Sequence, residues 1–392
     1  MDSRLLWLAL GAFAGSVESA LVVAVMPAVA LETGVSISEA GLVVFAYSIA
    51  YGFGTPLLST LFGGVDRRRV VAGAEFAFGC GTLLFGLLPG FIAILLARTA
   101  LAFGAGLFTS TAQSTAVALA QPGKRGKAVA TVGLGGTIAV AFGAPLAALI
   151  AQLYGWRVAY VGLGLIAITA SAIMWWRLPH DLHGDPRTLR ERIAVLGERG
   201  VPMTLMTSGL VTLAAFILMI YLAPIATTGL ELRPTAMPML LFAFGIGALV
   251  GNYTAGWTAD RLGTRRTMIV FLVAMILLLG SLPLVAMTPI EIREGVFLGY
   301  MVIFGALTWA FFPAQLLRLA LLAPKSVPLA ASLNLTAGNL GGALAALIGG
   351  FAFERFGVMG VGVGGAAIAI VALGTSLMVP DPPHQSSPSS PS

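Results

Sequence analysis

Twelve stretches of about twenty or more mainly apolar residues follow one another through this chain, separated by short polar connections. No other feature constrains the fold as strongly. A helix needs a run of about that length to cross the roughly 30 Å hydrocarbon core of a bilayer, and in lipid a helix satisfies its backbone hydrogen bonds internally. The runs fall at approximately 5–31, 40–62, 70–89, 91–120, 128–154 and 157–178, then 201–228, 235–258, 267–287, 294–322, 328–352 and 357–379. Composition agrees. Of 392 residues 58% are hydrophobic and only 10% charged, where a soluble domain carries about a quarter, and the mean hydropathy is +0.96. An all-α integral membrane protein is expected.

The net charge of +6 raises the possibility of nucleic acid, but Lys and Arg sit in short clusters between apolar runs and form no continuous basic face. The lipid bilayer is the expected partner instead. With both termini placed in the cytoplasm, sixteen of the 22 Lys and Arg residues fall on the inside, among them Arg67–Arg69, Arg187, Arg190, Arg192 and Lys325. Four fall outside (Arg157, Arg233, Arg293 and Arg355) and two, Arg98 and Arg318, lie within spans. That bias fixes the expected orientation. A lone cysteine, Cys80, excludes an internal disulfide framework. The first apolar run is too long for a signal core and reads as a span.

LAALI occurs at 146–150 and again at 344–348, an offset of 198. The loop segment VDRRRV ends at Val70 and LGTRRT ends at Thr267, an offset of 197. Two matches at nearly one offset, in equivalent places, point to two six-helix bundles related by a parallel repeat. The units are 1–178, a polar central loop 179–200, 201–379, and a Pro/Ser tail 380–392 whose composition gives nothing to pack and reads as disordered.

These residues resemble the major facilitator superfamily. The loop GWTADRLGTRR is similar to the superfamily signature G-x-L-x-D-R-x-G-R-R and maps onto Gly256, Asp260, Arg261, Gly263 and Arg265. In the first half STLFGGVDRRR holds the same place, but Gly63 stands where the signature has its Asp, and only Arg67 and Arg68 keep its basic end. Asp260 is therefore expected to tie its loop to a neighbouring helix end, which Gly63 cannot do. LLARTALAFGAG resembles the family's arginine-plus-glycine motif on helix 4, mapping onto Arg98 and Gly104. GTIAVAFGAPLAALIAQLYGWR resembles the exporter Gly/Pro motif of helix 5, mapping onto Gly143 and Pro145, with Ala144 in place of a Gly. The resemblance is closest to the bacterial drug- and sugar-efflux branch. It implies a monomeric proton antiporter in the bacterial inner membrane, without cofactor, exporting a drug, sugar or similar small molecule.

Glu18 is the anomaly of the first span, about 13 residues in and thus roughly 20 Å from its end. An ionised group there costs about 2.5–3.5 kcal/mol on insertion scales, and its small neighbours Gly11, Ala14 and Gly15 suit a face packed on other helices. Glu18 is the expected proton-coupling site and Arg98 the charge that tunes it. Glu75 and Arg318 lie within a few residues of cytoplasmic helix ends, where long side chains reach the interface, and are read as structural. Tyr47, Tyr51, Gln113, Tyr221, Asn252, Trp309, Gln315, Asn334 and Asn339 are the residues expected to line a central cavity suited to an amphiphilic or polyol-like substrate.

Two patterns carry no chemistry. HDLHGD, His180 to Asp185, has ligand-type residues but no closed set, so no metal is expected. GVGVGG, Gly360 to Gly365, fits a dinucleotide fingerprint but lies inside an apolar span with no strand before it. No H-E-x-x-H or G-x-S-x-G is present, and all three histidines lie in the loop or tail. An enzyme is not expected. A uniporter, an importer or a non-transporting receptor stay open as alternatives.

Overall fold

The computed structural model describes residues 3–121, 124–180, 182, 194–324 and 326–379. Arg187, Arg190, Arg192, Lys325, most of HDLHGD and the 380–392 tail lie outside these residues, as do the side chains of Arg125, Gly256 and Asp260. The first half comprises α1 (Arg4–Thr33), α2 (Ile37–Leu61), α3 (Arg67–Leu87), α4 (Phe91–Leu119), α5 (Arg125–Ile138), α6 (Ala144–Tyr154) and α7 (Trp156–Arg177). The second comprises α8 (Val201–Ile220), α9 (Met237–Leu262), α10 (Thr264–Ala286), α11 (Ile290–Leu322) and α12 (Val327–Met378). Eleven of these segments, with α5 and α6 joined, are long and apolar enough to cross a bilayer.

The last element resolves into two spans. At 52 residues an unbroken α12 would run about 78 Å, far beyond a bilayer, and Gly357 breaks it with φ 57° and ψ −143°. Twelve spans result. Four of the connections are tight turns closed by glycines at positive φ (Gly34, Gly90, Gly155 and Gly263, φ 70–91°). Helix starts are capped from the sequence: Ser36 and Glu39 form a reciprocal capping box on α2, and Asp66 accepts from Arg68 N at 2.9 Å on α3.

The fifth span is continuous but not uniform. Pro145 cannot donate to the helical ladder, and the residues just before it, Ala139–Gly143, widen into a π-helical turn. A β-carbon on Gly143 would stand 2.5 Å from Val17 and 2.8 Å from Phe13 of α1, so the widened turn presses directly on the first helix.

Within the first half α3 packs on α4 and α7, and α1 on α5; within the second, α8 and α10 pack on α12 and α9 on α11. The halves meet along two seams, α2 against α12 and α9 against the fifth span. The repeated LAALI segments sit on one helix of each seam, α6 and α12, so the sequence repeat and the two-fold arrangement coincide. Hydrogen bonds across the seams include Ser38 N to Glu354 Oε1 at 3.0 Å, Gln152 to the Pro234 carbonyl and, nearer mid-depth, Thr336 Oγ1 to Gly52 O at 3.1 Å. Within the first half, Glu32 joins α1 to α7: it accepts from Trp156 Nε1 at 2.9 Å and from Arg157 Nη2 at 2.7 Å, while Arg157 Nη1 reaches Gly86 O on α3.

Candidate functional site

Between the halves lies a cavity of about 470 Å³, lined from α1, α2, α3, α4, the fifth span, α8, α9, α11 and α12. Its wall is mostly apolar and aromatic. Of the nine residues singled out for it in the sequence, Tyr47, Tyr51, Gln113, Trp309 and Asn339 line it. The other four do not. Tyr221 is fully buried and donates to the Ala346 carbonyl, tying α8's end to α12. Gln315 donates to Thr204 O at 2.7 Å and Ser208 Oγ at 2.8 Å, and Asn334 accepts from the same serine, so both are consumed between α8, α11 and α12. Asn252 is exposed on α9. Polar residues in apolar spans serve two ends, and residue type alone does not separate a cavity group from an interhelical hydrogen bond.

Glu18 and Arg98 form an ion pair between α1 and α4, with 0% and 1% of their side-chain surface exposed. The structure brings the expected proton site and its tuning charge together. The guanidinium stacks over the Tyr47 ring at 4.4 Å and lies 5.8 Å from the Phe85 ring. Arg98 reaches the cavity wall, and Glu18 stands behind it. Neither Glu18 Oε2 nor Arg98 Nε has a hydrogen-bond partner among the described residues. The pair is held by charge and by aromatic faces rather than by a saturated polar network.

The placement of Glu75 and Arg318 at the interface needs correction, while the structural role expected of Arg318 stands. Glu75 does not reach the interface: it is 1% exposed, lines the cavity, and neither of its oxygens has a partner among the described residues. Arg318 is fully buried and donates to Ser376 Oγ at 2.9 Å, Ser376 O at 3.1 Å and Val379 O at 3.3 Å, closing the carbonyl end of α12. Counting residues to a helix end locates a side chain along its own helix, not the neighbours that extend past it and cover it.

The motif residues divide by place. Gly104 lets α4 approach α3: a β-carbon there would sit 2.6 Å from Phe78 N. Arg67 Nη1 donates to Ser114 O at 2.6 Å. Arg68 contacts the His180 ring and lies 5.0 Å over Trp175. Arg261 and Arg265 are both engaged by partners, and Gly263 forms the turn between α9 and α10.

A cavity between two six-helix halves, with a buried charge pair at its wall, defines a membrane transporter rather than an enzyme. The Major Facilitator Superfamily model matches residues 8–288 and 204–392, and the chain belongs to that family. It is 28% identical over 373 residues to the inner membrane transport protein YdhP of Escherichia coli K12, covering 94% of each chain. It is 24% identical over 371 residues to a probable sugar efflux transporter of Helicobacter pylori 26695, covering 94% of this chain and 93% of the relative. Its fold matches a bacterial homologue of the human lysosomal transporter Spinster, in an inward-facing and unoccupied conformation, with TM-score 0.77 at 15% identity and 96% of both chains covered.

Proposed function

We propose that the protein exports a small organic molecule by proton antiport across the bacterial inner membrane, as a monomer with both termini in the cytoplasm, and that Glu18 is the proton site with Arg98 as its tuning partner. The observation that carries this reading is the Glu18–Arg98 ion pair buried in the cavity wall. A charged pair in the membrane interior contributes little to folding compared with apolar packing. As a switch it has a use. Removal from water favours the protonated acid and the adjacent guanidinium favours the carboxylate, so the balance moves when the cavity changes the side to which it opens. Proton and substrate then compete through one cavity, which is enough to couple their movements. Export is the direction supported by the Gly143–Pro145 motif and by the efflux relatives.

The test is flux in proteoliposomes. Counterflow against a panel of antibiotics, sugars and nucleosides identifies a transported compound, and an imposed pH gradient is then expected to drive that compound uphill. Equal flux with and without the gradient would make the protein a uniporter.

Orientation has its own measurement. Reporter fusions after residues 66, 124, 190 and 263 are expected to report cytoplasm, and fusions after 34 and 231 the outside. Reversal at two or more sites overturns the charge-based reading.

A further inference from the structure

The charges in the cavity wall do not balance. Glu75 and Arg98 are its charged lining side chains among the described residues. Arg98 is neutralised by Glu18 from behind, so Glu75 is left alone, and both its oxygens lack a hydrogen-bond donor. Among the described residues no basic side chain is hydrogen-bonded or ion-paired to it. On α3 itself, Arg67 and Arg68 point to Ser114 and to His180 with Trp175. On α4 and α1 the charged groups within the membrane are the Arg98–Glu18 pair. On α7, Tyr160 faces Arg98, and Ser171 donates to Ala72 O at 2.7 Å.

The position of Glu75 is built rather than incidental. Gly11 of α1 leaves a notch into which the Phe108 ring and the Glu75 carboxyl fit: a β-carbon there would meet Phe108 at 2.4 Å and Glu75 Cδ at 3.1 Å. An isolated carboxylate in an apolar enclosure is costly, and Glu75 gives the fold no bond in return. Such a group is explained by something that arrives to neutralise it.

We infer that Glu75 is the cation-recognition point of the cavity and that the substrate class is lipophilic amines, whose ammonium N–H groups satisfy the two free oxygens while the aromatic walls take the apolar body. The inference rests on the reading of this cavity as the transport site. The three parts agree in kind. Two unpartnered acceptors call for an N–H donor rather than a quaternary ion. Phe78 and Phe108 lie beside the acid, with Phe304, Phe312 and Trp309 on the opposite half, and aromatic faces attract cations. The volume, about 470 Å³, is that of a drug-sized site. A proton is the other neutralising partner of the same carboxylate, so amine and proton exclude each other there.

The probes are monodansylcadaverine, a lipophilic primary amine, and its neutral N-acetyl derivative. Binding of each to the full chain in nanodiscs is measured by equilibrium dialysis against empty nanodiscs, with no gradient present. The wild type is expected to bind the amine at least about tenfold more tightly than the acetylated probe, a tenfold ratio being about 1.4 kcal/mol, and to lose amine affinity as pH falls while the acetylated probe is unaffected. Glu75→Gln is expected to lower amine affinity to the acetylated level and leave the acetylated probe unchanged, which also reports an intact cavity; Glu75→Asp is expected to retain the preference. No amine preference in the wild type overturns the inference, as does full amine preference in Glu75→Gln. The wild-type comparison stands even where Glu75→Gln does not fold. Because nothing is transported in the assay, a failure here with intact proton-driven flux removes the amine assignment alone, and loss of the flux with an intact amine preference removes the coupling reading alone.

Discussion

Glu18→Gln is expected to abolish proton-gradient-driven efflux in proteoliposomes, down to the level of protein-free liposomes, and to flatten its pH profile. The replacement keeps size and shape, and its carbonyl still accepts from the guanidinium, but it neither gains nor loses a proton. Arg98 retains the Tyr47 face at 4.4 Å and the Phe85 face at 5.8 Å, so the local packing has a second anchor and the variant is expected to fold. Counterflow, which exchanges substrate for substrate and needs no proton, is expected to survive within about threefold, less than the tenfold that 1.4 kcal/mol represents. That split between driven flux and counterflow separates a coupling residue from a merely structural one. A variant with wild-type driven flux and wild-type pH profile would make the carboxylate structural and end the mechanism.

The fold was largely legible because lipid simplifies the code. Apolar length alone marks a span, and a repeat at a constant offset marks the two halves; LAALI on α6 and α12 illustrates both. Even the one merged element, α12, divides at Gly357, where the runs ending at 352 and starting at 357 place the break.

The site was legible only in part, for a reason that Glu75 and Gln315 make plain. Both are polar residues inside apolar helices, one facing the cavity and the other bonded to Thr204 and Ser208. What separates them is the rotation of each helix about its axis, and an apolar sequence with lipid on one side and helices on the other records that rotation weakly. A signal for Glu75 did exist. Gly11 on α1, seven residues before Glu18, is the small residue whose notch admits the Glu75 carboxyl. Gly15, one turn on, faces the open cavity instead of a neighbouring helix, and which partner fills the Gly11 notch depends on α3's register, which no local pattern gives.

The pairing of Glu18 with Arg98 yields the other large expected effect, and it concerns stability. Removing one partner of a buried ion pair leaves the other uncompensated and costs about 3–5 kcal/mol. Arg98→Gln is expected to fall at the high end. It strips the carboxylate of its counter-charge, and among the described residues no other basic group pairs with Glu18. Glu18→Gln is expected to cost less, because the cation keeps its aromatic faces. Combining them removes both charges at once, so the double variant is expected to be more stable than Arg98→Gln alone and to recover most of its loss, while remaining inert in proton-driven transport. Arg98→Lys keeps the charge without the planar fork and is expected to move the pH profile of efflux more than it lowers yield. Thermal unfolding of the three Gln variants in one detergent closes the cycle, and the coupling is the departure of the double variant from the sum of the singles. Additive losses would mean that the two side chains are neighbours without energetic dependence, and the tuning of Glu18 by Arg98 would fall with them. Recovery of stability without recovery of driven flux is the result the pair predicts: a charge arrangement retained for its response to protons and not for the strength it gives the fold.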